Sequence, residues 1–280
     1  GDFGSEVEAE LAVIAKEVGA KCKIYHQDVA LGTAHAIMCA EAALDGKTII
    51  AFADTLFRAD FKLDDDADGI IWVQQIEDPS AFGVIKMNER GEIIDFVEKP
   101  KEFVSDLAMI GIYYFRDGER LHKELQYLID NAVIKSGEYQ LPDALRRLTE
   151  SGVVFKPGTV SEWLDCGNKE VTVHTNQRVL EFDHAAGLSM KDESVTCVDS
   201  VIIQPCFIGK NVKIHASVIG PHVSIGANSV VENSIIRNTN IQQNTHISNA
   251  NMADSMLGSN VVFKGRSKDL SLGDFSTTHE

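Results

Sequence analysis

The sequence predicts an α/β domain followed by a parallel β-helix, and three observations carry that expectation. Residues 25–57, YHQDVALGTAHAIMCAEAALDGKTIIAFADTLF, read as a strand end, a glycine turn, a helix and a second strand closed by a carboxylate. Beyond them, short apolar strand patterns alternate with helical ones as far as residue 182, which is the pattern of a layered α/β domain. From Val201 the period changes: Ile208, Ile214, Ile219, Ile225 and Val231 recur every five or six residues, often followed by Gly. A unit that short cannot bury its own apolar face, so successive turns must stack.

Composition sets the outer limits. The 280 residues are 44% hydrophobic and 24% charged, as in ordinary globular domains, with room for one large domain or two smaller ones. A formal net charge of −16 opposes non-specific binding to nucleic acid or to an anionic membrane, because neutralising phosphates needs clustered Lys and Arg. An anionic substrate must therefore be met by a few local cations. Cys22, Cys39, Cys166, Cys197 and Cys206 show no C-x-x-C spacing and read as reduced thiols of a cytoplasmic protein. No signal peptide is recognisable, and no apolar run approaches the ~18 residues of a membrane-spanning helix.

Taken in order, Ser5 and Glu8 predict a capping box for a helix with Val7, Leu11, Ile14 and Val18 on one face and Gly19 at its end. Lys21 to Tyr25 is expected as a strand, Leu31-Gly32 as a turn, and Thr33 to Ala43 as a helix. The continuous apolar run Thr48 to Ala53 is expected to be buried on both faces of a sheet. Asp54 would then close a central strand at its carboxyl end, where open α/β sheets place ligands. Gln27 offers an amide, Gly32 lets a ligand approach the backbone, and Asp54 can hold a hard cation.

Ile70 to Gln75 is the next strand. The pair Gly83–Lys86 and Ile93–Val97 forms a hairpin about Asn88–Gly91, closed by Glu98-Lys99-Pro100. Glu98 can read vicinal hydroxyls, and Lys99 offers a point charge to a phosphate. Ala108 to Phe115 is a core strand with a tight contact at Gly111, and Glu119 to Ile134 a helix. Gly137-Glu138-Tyr139-Gln140-Leu141-Pro142-Asp143 then leads into a helix whose first turn accepts Pro142. Val153 to Val160 is a strand. Glu162–Gly167 follows, and Asn168 caps a helix running to Phe182. His215, His222 and His246 are expected on the surface of the coils.

Several of these segments, in this order, resemble the sugar-1-phosphate nucleotidyltransferases, the nucleotide-sugar pyrophosphorylases, and within them the glucose-1-phosphate thymidylyltransferases. They are Q-x3-L-G-T-A with a strand ending F-A-D, F-G-V-I with G-x-I-x-x-F-x-E-K-P, G-E-x-x-L-P-D, and W-x-D-x-G, followed by the hexapeptide repeat. The resemblance runs from Gly4 to Gly265. It implies a Rossmann-like mixed-sheet nucleotidyltransferase domain over 1–182, a connection over 183–198, a left-handed parallel β-helix over 199–265 and a polar tail over 266–280.

The resemblance further implies that Gln27, Gly32 and Thr33 contact the nucleotide, while Gly83, Glu98, Gly111 and Glu138 contact the sugar. Lys99 would meet the sugar phosphate, and Asp54 and Asp165 would bind Mg2+, making Asp54, Lys99 and Asp165 the catalytic set. The family's first strand and its G-x-G-T-R…P-K signature have no counterpart in this sequence, so the domain is expected to be N-terminally incomplete. Pro142 and Asn168 stand where Thr, or Thr and Ser, are commoner. The implied reaction joins a nucleoside triphosphate to a hexose-1-phosphate with release of pyrophosphate, using glucose-1-phosphate and dTTP or UTP. Mannose-1-phosphate with GTP is the alternative. A non-catalytic regulatory subunit is a second one, weakened by retention of Asp54, Lys99 and Asp165, and a hexapeptide acyltransferase would need more coils. The expected partners are the two substrates and further copies of the chain, with neither nucleic acid nor membrane.

Overall fold

A computed structural model describes residues 4–59, 63–64, 66–266 and 277, so the expected polar tail lies almost wholly outside the described residues. The chain divides into two compact units, 1–163 and 164–280. No helix among the described residues is long and apolar enough to cross a membrane, and no disulfide joins the five cysteines.

The first unit contains, in order, α1 (Ser5–Glu17), α2 (Thr33–Met38), β1 (Thr48–Ala51), β2 (Thr55–Arg58), β3 (Gly69–Gln75), β4 (Gly83–Met87), β5 (Ile93–Glu98), β6 (Leu107–Phe115), α3 (Gly118–Asp130), α4 (Leu141–Glu150) and β7 (Phe155–Thr159). Six strands form a mixed sheet in the order β1-β6-β3-β7-β5-β4, with β3 parallel to β7 and the other neighbours antiparallel. β3 and β6 are buried along almost their whole length, as continuous apolar runs require. Because successive side chains alternate between faces, Ile71, Val73 and Tyr113 join Leu121, Leu125 and Leu128 of α3 and Leu141, Leu145 and Leu148 of α4. Trp72, Ile110 and Tyr114 form a separate cluster. Each fully buried side chain of this size contributes roughly 1.5–3 kcal/mol.

The predicted hairpin forms as read: Asn88 Oδ1 accepts from Arg90 N and Glu92 N, and Gly91 takes φ 75°. α3 starts at the Asp117 cap, whose carboxylate accepts from Arg120 N, and ends at Asp130, short of Ile134, where Ala132 turns to φ 48°. α4 carries Pro142 in its first turn.

Four expectations in the N-terminal third are corrected. Lys21 to Tyr25 is not a strand, because no ladder pairs with it among the described residues. The helix from Thr33 stops at Met38, and a separate 3-10 turn covers Glu41–Ala43; Ala40 N bonds Ile37 O at 3.0 Å, an i→i+3 bond that ends the α pattern. The cap of α1 is Gly4 rather than Ser5, with no side-chain cap bond, and the helix buries none of its residues, leaving Leu11 45% exposed. The run Thr48 to Ala53 shortens to β1, which lies at the sheet edge with Ile49 60% exposed. Asp54 accordingly follows an edge strand, in the turn between β1 and β2, and not a central strand buried on both faces.

β8 (Glu162–Asp165) runs through the junction of the two units. The second unit then forms α5 (Lys169–Ala185), capped by Asn168, whose side chain accepts from Glu170 N and Val171 N. Eleven short strands follow: β9 (Thr196–Val198), β10 (Val201–Ile202), β11 (Cys206–Ile208), β12 (Lys213–His215), β13 (Val218–Ile219), β14 (Val223–Ile225), β15 (Val230–Glu232), β16 (Ile235–Ile241), β17 (His246–Ser248), β18 (Asn251–Leu257) and β19 (Val262–Lys264). All pair in parallel, as a β-helix demands. On one face the register steps Thr196↔Lys213↔Val230↔His246↔Val262, so a coil takes 17 or 16 residues, slightly less than three full hexapeptides. Pairing already begins at Thr196, and Met190 O accepts from Ile208 N, so part of the expected connection belongs to the coils.

The coils bury one column of Ile214, Val231 and Ile247 and another of Ile208, Ile225 and Ile241. Their corners are columns of left-handed residues: Asn211, Asn228, Asn244 and Asn260 at one, Asp199, Ala216, Asn233 and Asn249 at another. Asn and Asp visit that region at low cost because a short polar side chain bonds locally, whereas an ordinary residue pays about 1–2 kcal/mol. The amides also stack, Asn211 Nδ2 donating to Asn228 Oδ1 at 3.0 Å and Asn228 Nδ2 to Asn244 Oδ1 at 3.3 Å. A serine relay fills the second corner: Ser200 and Ser217 hydroxyls accept from the N–H groups of Ser217 and Ser234 in the next coil, each at 3.0 Å. Ala216, at φ 46°, is the one member of its column without a polar side chain. Ala216→Asn is expected to stabilise this unit by about 0.5–1 kcal/mol, read as a higher urea midpoint at unchanged m-value.

Candidate active site

Most of the sequence-predicted site residues of the first unit fall into two groups, joined by the segment 138–141. One group is the turn before α2. Gln27 Nε2 donates to Gly32 O at 3.2 Å and contacts His35 Nδ1 at 2.9 Å. Because a carbonyl can only accept, the Gly32 contact fixes which end of the Gln27 amide faces inward and leaves Oε1 as its outward acceptor.

Gly32 is required for a different reason from the one its sequence context suggests. At φ 103°, a Cβ on it would come within 2.5 Å of Tyr139 O and 2.8 Å of Glu138 Cβ. The space beside it is filled by the chain itself, so Gly32 admits a neighbouring backbone rather than a ligand at that point. The contact is a clasp of three hydrogen bonds: Tyr139 N to Leu31 O at 2.8 Å, Ala34 N to Tyr139 O at 3.0 Å, and Leu141 N to Thr33 Oγ1 at 3.0 Å. The Thr33 hydroxyl thus caps the start of α4 from a distant turn.

The second group lines a cavity of about 570 Å³ that includes Glu98, Lys99, Lys135, Glu138, Asp143 and Arg146. Val97 and Glu98 at the end of β5 line it, and Glu98 pairs with Gly83 of β4. A Cβ on Gly83 would meet Glu98 Oε2 at 2.8 Å and Met109 Cε at 2.5 Å, so a larger residue there would make the carboxylate and the methionine methyl shift. Burial raises the Glu98 carboxyl above its ordinary pKa, opposed by the Lys99 charge and reinforced by Asp143 and Glu138. Lys99 takes φ 40°, an uncommon conformation for a lysine, pinned by Lys99 N donating to Phe82 O at 3.1 Å. Tyr113, fully buried, has its hydroxyl held far above the usual range by burial and by the Glu98 charge.

Gly111 lies midway along β6, against the turn that carries Asp54, and both stand outside those two groups. Gly111, at φ 81°, accepts at its carbonyl from Phe52 N at 2.9 Å, and a Cβ there would press on Phe52 and on Thr55 Oγ1. Asp54 is exposed, and its carboxylate has no hydrogen-bond partner among the described residues. In the second unit, Asp165 Oδ1 accepts from Gly167 N at 2.8 Å, and its backbone carbonyl accepts from Thr175 Oγ1 at 2.7 Å. One oxygen of Asp165 is thereby oriented while Oδ2 stays available. Both carboxylates are hard oxygen donors of the kind Mg2+ takes while keeping much of its water.

Sequence reasoning missed Lys135, Asp143 and Arg146. Asp143 lay within the G-E-x-x-L-P-D segment, and Arg146 follows it at i+3, a spacing that places both on one side of a helix. Their meeting with Lys135 depends on the fold around them.

Residues 5–181 match the sequence profile of the nucleotidyl transferase family, and the chain belongs to that family. Among its relatives, the glucose-1-phosphate thymidylyltransferase of Streptomyces antibioticus is 27% identical over 250 residues, covering 81% of this chain and 68% of that protein. The UTP–glucose-1-phosphate uridylyltransferase AglF of Haloferax volcanii is 30% identical over 165 residues, covering 56% of this chain and 66% of its own. A solved Bacillus anthracis structure, provisionally named a glucose-1-phosphate thymidylyltransferase, superposes with a TM-score of 0.53 at 24% identity over 63% of this chain and 72% of that one, a likeness of fold.

Gly32→Ala tests the clasp directly. The added methyl must displace Tyr139, so a loss of about 1–3 kcal/mol is expected. Amide exchange should accelerate at Ala34, Tyr139 and Leu141, while the Asn88 hairpin keeps its protection.

Proposed function

We propose that the protein is a sugar-1-phosphate nucleotidyltransferase that joins glucose-1-phosphate to dTTP or UTP with release of pyrophosphate. The observation that carries this reading is the cavity in which Glu98, Lys99 and Glu138 converge, clasped through Tyr139 to the Gln27–Thr33 turn. Two substrates need two adjoining sites, and the clasp supports this reading by bringing the Gln27–Thr33 turn, read as the nucleotide side, against the loop that carries Glu138 on the sugar side.

The sugar phosphate attacks the α-phosphorus in line, and as an anion it needs no general base. The protein's task is then orientation and charge neutralisation. Glu98 and Glu138 accept the sugar hydroxyls, with the Gly83 and Gly111 backbones beside them, and Lys99 holds the incoming phosphate. The Gln27 Oε1 acceptor suits the N3–H of uracil or thymine, and Thr33 lies at the same turn. Asp54 and Asp165 are the residues that would hold Mg2+. The ion, when bound, neutralises charge on the phosphates.

Pyrophosphate release measured on the full-length protein with Mg2+, with dTTP, UTP, GTP and ATP each offered against glucose- and mannose-1-phosphate, tests the reading. Turnover is expected with a pyrimidine triphosphate and glucose-1-phosphate, falling about 100-fold or more in Asp54→Asn and in Asp165→Asn. A folded protein that turns over no pair would point instead to a regulatory subunit.

Glu98 adds a pH signature. Its pKa is raised, so it takes up a proton at higher pH than an ordinary glutamate, and the neutral acid is the poorer acceptor of hydroxyl hydrogens. The kcat/KM for the sugar phosphate should therefore fall on acidification through a limb above the usual carboxylate range. Glu98→Gln should abolish that limb, retain the one due to the substrate phosphate, and lower kcat/KM about 10- to 100-fold.

A further inference from the structure

Asp143 is the only charged side chain fully buried among the described residues, at 5% exposure. A carboxylate in such a place is tolerated only when it is paired. Its Oδ1 accepts from Lys135 Nζ and from Arg146 Nη1, the latter at 2.7 Å, while Oδ2 has no partner. Both cations lead onward to the acids of the cavity.

Lys135 opens a two-residue turn, Ser136-Gly137, with φ 51° and 85°. The turn is closed by Lys135 N to Glu138 O and Glu138 N to Lys135 O, both at 3.0 Å. Anchoring the Lys135 ammonium on Asp143 therefore fixes the turn that presents Glu138. Arg146 reaches the other wall: its Nη2 donates to Phe96 O and its Nε to Asp95 Oδ1 at 3.2 Å, on β5 just ahead of Glu98. All three anchors lie along one path from Glu138 to Glu98, and Asp143 is its midpoint.

We propose that Asp143 is a positioning residue which, through Lys135 on one side and Arg146 on the other, sets the spacing of Glu138 and Glu98 across the sugar cavity. The proposal rests on the sugar-phosphate reading of that cavity. Each cation spans from the shared carboxylate to one wall, so losing either releases one acid, while the backbone bonds of Tyr139 to Leu31 and Ala34 still hold the nucleotide turn. Lys135 is the cleaner probe, because its side chain is 53% exposed and contributes little to the core. Arg146 also bonds β5 directly, and its removal would disturb the sheet as well as the spacing.

The test is steady-state pyrophosphate release by the full chain, with calorimetric binding of glucose-1-phosphate alone as a second readout. Misplacing a binding group by about 1 Å costs up to about 100-fold. Lys135→Met and Asp143→Asn are therefore expected to raise the KM and Kd for the sugar phosphate about tenfold or more. The KM for the nucleoside triphosphate should stay within about twofold, and Lys135→Arg, which keeps the charge, should restore most of the sugar affinity. Should Asp143→Asn fail to fold, Lys135→Met decides alone. Sugar-phosphate Kd and KM unchanged in Lys135→Met, or raised together with the triphosphate KM, would overturn the clamp while the function stands. Absence of any hexose-1-phosphate binding by the wild type would overturn the sugar reading and the clamp with it.

Discussion

The backbone clasp between Leu31–Ala34 and Tyr139 is the constraint on which the first unit's site depends. The contact joins the turn before α2 and the first residues of that helix to the loop before α4 and its first residue. The bonds through Tyr139 N and O, with the Thr33–Leu141 bond beside them, hold the Gln27 turn against the loop carrying Glu138. Without them these backbone groups would need other partners, since buried amides are rarely left unpaired. Gly32 makes the approach possible and Thr33 extends it to the start of α4. Helix α4 in turn packs its leucines into the core of the sheet, so the clasp ties the site loops to that core. Three consecutive residues of one turn thus serve the geometry of a second turn more than a hundred positions away.

The second unit meets the opposite difficulty. A coil of 16 or 17 residues repeated along an axis has no core until a neighbour arrives, and every corner must reverse the chain tightly. Columns of Ile and Val solve the first problem, and Asn and Asp in the left-handed region the second. Ser217 shows how closely the two are joined. Its hydroxyl donates to its own coil at His215 O, 2.7 Å, and accepts from the next coil at Ser234 N. A buried polar group at a corner is thereby satisfied in both directions, which is what allows it to be buried at 3% exposure.

Local chemistry was readable wherever it decides the structure by itself. The Asn88–Gly91 hairpin, the Asn168 cap of α5, Pro142 in the first turn of α4 and the Ile/Val columns of the coils all follow from residues close in sequence. The failures share a different cause. A run such as Thr48 to Ala53 states that a strand is apolar, but not how many neighbours it has, and among the described residues β1 pairs only with β6. Ser5 is a good cap residue, yet Gly4 took the position one residue earlier. Gly32 was recognised as special, but a glycine's sequence context does not say whether ligand or backbone occupies the place of its Cβ. Asp143 was in plain view and was passed over, because its partners lie eight residues before it and three after, in a loop and a helix. Its meaning comes from what those partners touch next.

The charge balance of the cavity shows how so acidic a chain can receive anions. With a net charge of −16, the long-range field of the protein repels a phosphate, so attraction must be local and only partly screened. The cavity is lined by the cations Lys99, Lys101, Lys135 and Arg146 and by the acids Glu98, Glu138 and Asp143. Lys135 and Arg146 are committed to Asp143, and Arg146 to Asp95 as well. Lys99 and Lys101 form no ion pair with a carboxylate among the described residues, and they stand side by side at the end of β5, flanking Pro100. The uncommitted positive charge is thus concentrated at one rim of the cavity, and Glu98 and Glu138 are the acids left free for the proposed sugar hydroxyls. A ligand with a phosphate at one end and hydroxyls along the rest matches that division, whereas a nucleotide triphosphate alone would set its negative charge against the acids. The buried carboxylate of Asp143 serves this arrangement twice, by pairing with Lys135 and Arg146 and by helping to keep the Glu98 carboxyl raised.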